Sequence, residues 1–211
     1  IWATDHGADI INMSLGGGYS ATVDTAIKYA FDHGVVVVAA AGNDGLNLDS
    51  TKQSPVCNDG GDSNNYVIGV ASVDENDIKS GFSNYGANCV DVSAPGEQIL
   101  AAVFHDNAFG FTSFYANFTG TSMSTPIVSG IAGLIKAKNP SWTNTQVRNK
   151  IISSAITIDS KNPSYAGKLG SGRVSALNAI KGSGSTVSAS GAKIVVGAGA
   201  GGGPQIKGYT P

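Results

Sequence analysis

A chain of 211 residues, 41% of them apolar, is long enough to fill one core, and its net charge of −2 offers no basic face for nucleic acid or an anionic membrane. No apolar run reaches the length of a membrane span. Glycine occurs at 29 positions, which points to tight turns and close backbone approaches.

Residues 1–7 read as the end of a helix. Asp9–Leu15 reads as a strand, apolar at Ile10, Ile11, Met13 and Leu15, and opens into Gly16-Gly17-Gly18. On its own that stretch is a glycine turn with no partner. Ser20 stands where a helix would be capped. The stripe of that helix is Val23, Ala26, Ile27, Ala30 and Phe31, and Gly34 ends it. Val35–Ala39 is apolar on both faces, which predicts a central parallel strand and a strand–helix–strand unit. Asn43 falls just past the carboxyl end of that strand, where open α/β sheets place ligand sites.

Asp44–Asn65 is a long polar loop. Asp59 and Asp62 suggest calcium, but their spacing matches no EF-hand, so a solvated loop is expected. Strands are expected at Tyr66–Val73, between Val90 and Val92, and at Gln98–Val103. The aromatic-rich Phe109–Phe118 predicts a hairpin. Asn117-Phe118-Thr119 matches a glycosylation sequon; it lies against the turn that follows and is expected to stay unmodified. Cys57 and Cys89 can be a disulfide or two free thiols on spacing alone.

Then comes Thr119-Gly120-Thr121-Ser122-Met123-Ser124-Thr125-Pro126, followed by an apolar run with Val128, Ile131, Ala132 and Ile135 at helical spacing. Pro126 is expected in the first turn, where its missing N–H costs nothing. Ser122 would then sit at the positive end of a buried helix, where backbone N–H groups can stabilise an oxyanion. The plainer role is an N-cap. The helix should run to about Lys138. Thr143 with Gln146 forms a capping box for a helix carrying Val147, Ile151 and Ile152, and Ser175 caps Ala176–Ile180. Residues 182–192 have Gly/Ser linker composition, and 193–211 read as either the start of a β-repeat module or a disordered tail.

G-T-S-M-S-x-P at 120–126 and V-V-V-A-A-A-G-N at 36–43 resemble the subtilisin-like serine protease family. Asp9–Gly17, Phe82-Ser83-Asn84-Tyr85-Gly86 and Ser93-Ala94-Pro95-Gly96 occur in the family's order. The resemblance covers about residues 1–181 and implies a partial peptidase domain. Its fold would be α/β, a mostly parallel sheet with helices on both faces, lacking its N-terminal part. It implies a secreted serine endopeptidase acting on polypeptides, with Ser122 as nucleophile and Asn43 and the Ser122 N–H as oxyanion donors. Thr121 would add a weaker hydroxyl contact. The Ser14-Leu15-Gly16-Gly17 edge would pair with substrate as an added strand. Ser14-Leu15-Gly16 and Ala40-Ala41-Gly42 would wall a pocket for a large uncharged side chain, so an aspartate at Gly42 is expected to charge one wall. No cofactor is required; calcium enters only as a structural ion without assignable ligands. The secreted habit of the family favours the Cys57–Cys89 bridge.

The family's Asp-Ser/Thr-Gly turn and His-Gly-Thr-His helix, which carry the rest of its triad, do not occur. His6, His33 and His105 stand in other contexts. Two expectations follow: a longer protease whose missing N-terminal part supplies Asp and His, or a member that has lost catalysis and serves as a binding module of a secreted surface protein. Retention of both Ser122 and Asn43 favours the first.

Overall fold

A computed structural model describes residues 1–59, 65–110 and 112–181, together with the backbone of 194–196. After a short helix α1 (Trp2–Asp5), the chain enters β1 (Ile10–Met13), β2 (Gly17–Gly18), α2 (Ala21–Asp32) and β3 (Val36–Ala40). Next come β4 (Gln53–Ser54), β5 (Val67–Val73), β6 (Val92–Pro95), β7 (Ile99–Ala102) and β8 (Tyr115–Phe118). Helices α3 (Thr121–Lys138), α4 (Asn144–Ser153) and α5 (Ala176–Ile180) follow, and β9 (Ile194–Val196) is the last described element.

The main sheet runs β6-β5-β3-β1-β9, and every neighbouring pair is parallel. Its central strands β3 and β5 are buried on both faces, as continuous apolar runs require. In β3 and its flanks, Val35, Val37, Ala39 and Ala41 pack with Ile27 and Ala30 of α2. Val36 and Val38 pack with Val128, Ile131 and Ile135 of α3 and with Val147 and Ile151 of α4. Helices therefore cover both faces. Each such aliphatic side chain taken from water contributes about 1.5–3 kcal/mol.

Ser20 occupies the cap position of α2 without a side-chain capping bond; its backbone N–H donates to Ser54 Oγ at 2.9 Å. Both halves of the Thr143/Gln146 capping box form, and Ser175 accepts from the Asn178 N–H. Only the end of the aromatic-rich stretch is a strand among its described residues: β8 pairs antiparallel with β7, from Ile99↔Phe118 to Ala102↔Tyr115, so the hairpin is made with the preceding strand and not within Phe109–Phe118. Cys57 and Cys89 are joined as a disulfide, with Cα atoms 5.0 Å apart. No helix among the described residues is long and apolar enough to cross a membrane. The backbone of Ile194–Val196 forms β9, parallel to β1 in the main sheet. The linker at 182–192 and the remainder of 193–211 lie outside the described residues.

The polar loop departs from expectation at Asp59. Its Oδ1 accepts the N–H groups of Tyr66 and Val67 at 3.0 and 3.2 Å, and burial pushes its carboxyl up to about 6. Asp59 is therefore a closing group of the loop and not a solvated one; Asp62 lies outside the described residues.

Candidate active site

Ser122 is the second residue of α3, an 18-residue helix with Lys136 and Lys138 in its last turn. The basic end opposes the serine end, which agrees with the helix dipole. First-turn N–H groups have no partner within a helix. The Thr121 N–H is taken by Asn43 Oδ1 at 2.9 Å, which leaves the Ser122 N–H as the next donor in line.

Pro126 lies in the second turn of α3 and not in the first. Its missing N–H removes the helical bond to the Ser122 carbonyl. That carbonyl accepts instead from Ser14 Oγ at 2.8 Å, and Ser122 Oγ donates to the Ser14 carbonyl at 3.3 Å. Behind Ser14, Asn12 Nδ2 donates to Ser14 Oγ at 3.0 Å and Ser129 Oγ donates to Asn12 Oδ1 at 2.8 Å. Asn12 and Ser129 are both buried. The end of β1 is thus tied to the start of α3 through hydroxyls and one amide.

Asn43 lies beyond β3 on the loop facing this helix end. Its Oδ1 accepts both the Thr121 N–H and the Thr121 hydroxyl at 2.9 Å, and Thr121 Oγ1 accepts the Gly42 N–H at 3.2 Å. With the carbonyl side of the amide fixed, its N–H₂ side is the one left to donate. A Cβ built on Gly120 would stand 3.5 Å from Asn43 Nδ2 and 3.8 Å from the Ser122 nitrogen. Two donors therefore border the space that only a glycine at 120 leaves open. The Thr121 hydroxyl points its proton at Asn43, so Thr121 holds that amide in place here. The turn is anchored from below, with the Gly120 N–H on the Gly96 carbonyl at 2.8 Å and Ser124 Oγ on the Ala94 carbonyl at 3.0 Å.

The remaining predicted residues divide. Ser14 and Leu15 are half-buried and, with exposed Gly16, precede β2. Gly17 pairs with Ser54 of β4 along one of its two edges. Ala40 and Ala41 are buried, and the Ala41 methyl belongs to the α2-side core, so its backbone is what the wall presents. Gly42 sits at φ +103°, and a Cβ there would collide with Asn84 Nδ2 and Gln53 Oε1. An aspartate at Gly42 would strain the loop instead of charging a pocket.

The three histidines have other partners. His6 stacks on Trp2 at 4.1 Å, His33 pairs with Tyr29 at 4.1 Å, and His105 stacks on Phe114 at 3.9 Å. Among the described residues no three His, Cys, Asp or Glu are arranged to hold a metal ion. Asp91 accepts from Arg148, Asn65 and the Gly69 N–H, and Asp59 from two backbone N–H groups.

Asn12, Ser129 and Asn84 carry the site's framework without having been singled out from sequence. A polar residue inside an apolar strand, as Asn12 is in Ile10-Ile11-Asn12-Met13, was the available signal.

A parallel sheet covered on both faces thus sets a serine at the start of one helix opposite an amide at a strand end. The chain matches the Subtilase family over residues 1–192 and belongs to that family of serine proteases. It is 38% identical over 182 residues to alkaline elastase YaB of Bacillus sp. (strain YaB), which spans 85% of this chain and 42% of that protein. Thermitase of Thermoactinomyces vulgaris is 39% identical over 181 residues, 85% of this chain and 57% of that protein. A solved protease structure from Pseudoalteromonas arctica PAMC 21717 superposes with a TM-score of 0.65 at 36% identity, over 82% of this chain and 50% of the other. A lanthipeptide protease shares the fold, with a TM-score of 0.68 at 23% identity over 85% of this chain and 62% of that one. The chain spans about half the length of the curated relatives it matches.

Proposed function

We propose that this chain is the nucleophile-bearing part of a secreted serine endopeptidase that hydrolyses polypeptides. The observation that carries this reading is the fixed Asn43 amide, bordering the same open space as the Ser122 N–H. Ser122 Oγ attacks the scissile carbonyl, and its proton passes to a general base. The oxyanion that forms is met by Asn43 Nδ2–H and the Ser122 N–H. A donor of this kind in a subtilisin is worth about 2.7–4 kcal/mol, a figure carried over from that enzyme. The base and the carboxylate that orients it come from residues of the same protein outside this chain. The engaged histidines and the half-length match to the relatives support that division. An uncharged pocket between Ser14–Gly16 and the Ala40–Gly42 backbone accepts a large uncharged side chain. The disulfide supports a secreted protein.

A second reading is a non-catalytic binding module, favoured by the Ser122 hydroxyl resting on the Ser14 carbonyl instead of on a base. One experiment separates the two. The 211-residue chain alone should cleave peptides no faster than its Ser122→Ala variant. The protein expressed from its full reading frame should cleave, and lose that activity on Ser122→Ala. A full-length protein as inert as its Ser122→Ala variant establishes the binding module.

A further inference from the structure

Asn84 is fully buried and plays no part in the chemistry above. Its Oδ1 accepts the Asp44 and Leu46 N–H groups at 3.1 and 2.8 Å. Its Nδ2 donates to the Ala41 carbonyl at 2.8 Å and to Gln53 Oε1 at 3.1 Å. A carboxamide has two donors and two acceptor positions, so this one is fully used. Three of its four partners lie on residues 41–46, the stretch that carries Asn43. The fourth, Gln53, belongs to β4, where it pairs with Gly18 of β2.

The backbone reinforces the contact. The Asn84 N–H donates to the Gly42 carbonyl at 3.0 Å, the Gly45 N–H to the Phe82 carbonyl at 2.8 Å, and the Tyr85 N–H to the Leu46 carbonyl at 3.0 Å. Gly42 is packed so closely on the Asn84 amide that no side chain fits between them. The ring of Tyr85 is itself held, edge-on to Tyr165 at 4.8 Å with Lys79 Nζ 5.5 Å from its centre.

We propose that Asn84 is a positioning residue for oxyanion stabilisation: its carboxamide clasps residues 41–46 so that Asn43 keeps its carbonyl oxygen on Thr121 and its N–H₂ toward the cleft. Through Gln53 the same amide fixes this loop to the β2–β4 ladder beside the opposite pocket wall. The inference rests on the role given to Asn43 above. A residue acting only through Asn43 has a signature that a general stabiliser lacks: its effect on kcat disappears once Asn43 is gone.

The test is a double-mutant cycle on the full-length protein, reading kcat and KM on a peptide amide substrate. Asn84→Ala should lower kcat by ~10- to 100-fold with KM within about threefold, because the contact it supports is made in the transition state. Added to Asn43→Leu, it should lower kcat by less than about threefold more. Asn84→Asp keeps the shape and the accepting oxygen but loses both donors, and should show the same coupling where the alanine variant does not fold. Additive losses, or Asn84 variants of unchanged kcat beside an impaired Asn43→Leu, overturn the clasp alone. An Asn43→Leu variant of full kcat overturns the role of Asn43 and the clasp with it.

Discussion

At the carboxyl end of the parallel sheet the buried side chains that hydrogen-bond the Asn43 loop and the start of α3 are neutral amides and hydroxyls: Asn12, Asn84, Thr121 and Ser129. At the opposite end, where β5 and β6 begin, carboxylates join the buried amides Asn58 and Asn144. Asp91 is buried beside Arg148, with a 2.6 Å contact, and Asp59 lies close enough for the Asp91 charge to raise its pKa. The first arrangement holds its geometry without any group that titrates near neutrality. The second binds a loop and two strand starts with groups whose charge depends on pH, and burial raises the Asp91 carboxyl despite the guanidinium. The difference teaches that one sheet carries two separable properties. The proposed chemistry rests at one end on neutral hydrogen bonds, and stability is tuned at the other by ionisation and a disulfide. Substitutions at the two ends should therefore change different observables.

The largest effect is expected from Asn43→Leu in the full-length protein. Removing a donor that meets the substrate oxygen in the transition state should lower kcat by ~10²–10³ with KM nearly unchanged. Asn43→Leu also leaves the buried Thr121 N–H and hydroxyl without their acceptor, so the melting temperature should fall modestly beside the loss of kcat. A kcat within about threefold of the parent, under ~0.7 kcal/mol of barrier, would deny Asn43 the donor role. A fall in melting temperature with kcat intact would make it a structural asparagine, and the two ends of the sheet would no longer differ.

The next effect belongs to the other end. Cys57 precedes Asn58 and Asp59, and Cys89 precedes Val90 and Asp91, so the disulfide closes the carboxylate corner. Closing a loop of this length stabilises by ~3–4 kcal/mol in the chain-entropy account. The double variant Cys57→Ser/Cys89→Ser should lose about that much in denaturant unfolding. Its kcat, measured where it remains folded, should match the parent. A proportionate loss of kcat would show that the two ends are mechanically coupled.

Much of the neutral end is legible in the sequence, because small residues in close spacing leave few conformations. Gly42-Asn43 after an apolar strand and Gly120-Thr121-Ser122 before an apolar helix already place a turn against a helix end. What those residues touch is not legible. The displacement of Pro126 into the second turn, and the Ser14 hydroxyl that takes the freed Ser122 carbonyl, depend on contacts across more than a hundred residues of chain. The Gly42→Asp expectation fails for a similar reason: a glycine in a turn reads as open space, whereas here Asn84 and Gln53 fill it. The carboxylate end reads wrongly because a polar run reads as solvated. Tyr66 and Val67 turn their N–H groups onto Asp59 only once β5 is laid into the sheet. Core strands were easier, since Val36–Ala40 and Val67–Val73 are apolar on both faces and have only one place to go.

The smallest effect is the pH dependence that Asp59 should confer. Its carboxyl is pushed up to about 6, first by burial and then by the Asp91 charge, against hydrogen bonds from Val67 and Tyr66 and the pull of Arg148. A raised carboxyl pKa means that the folded protein keeps a proton which the unfolded chain gives up. The stability contributed by this proton is complete below the unfolded value of 3.8, declines as pH rises through about 6, and is absent above that. At its fullest it amounts to no more than about 3 kcal/mol. Asp59→Asn retains the oxygen that accepts the Tyr66 and Val67 N–H groups and has no proton to release. Carboxylates distant from this corner titrate alike in both proteins, so the difference between their unfolding free energies reports Asp59 together with its coupling to Asp91. That difference should favour the asparagine variant increasingly from pH 4 to pH 6 and stay level from pH 6 to pH 8. The kcat of the full-length variant should follow the parent across the same range, because no bond at the Asn43 end passes through Asp59. Parallel stability curves would mean that Asp59 is solvated, as its polar neighbours in the sequence suggest, and that the disulfide alone distinguishes this end of the sheet.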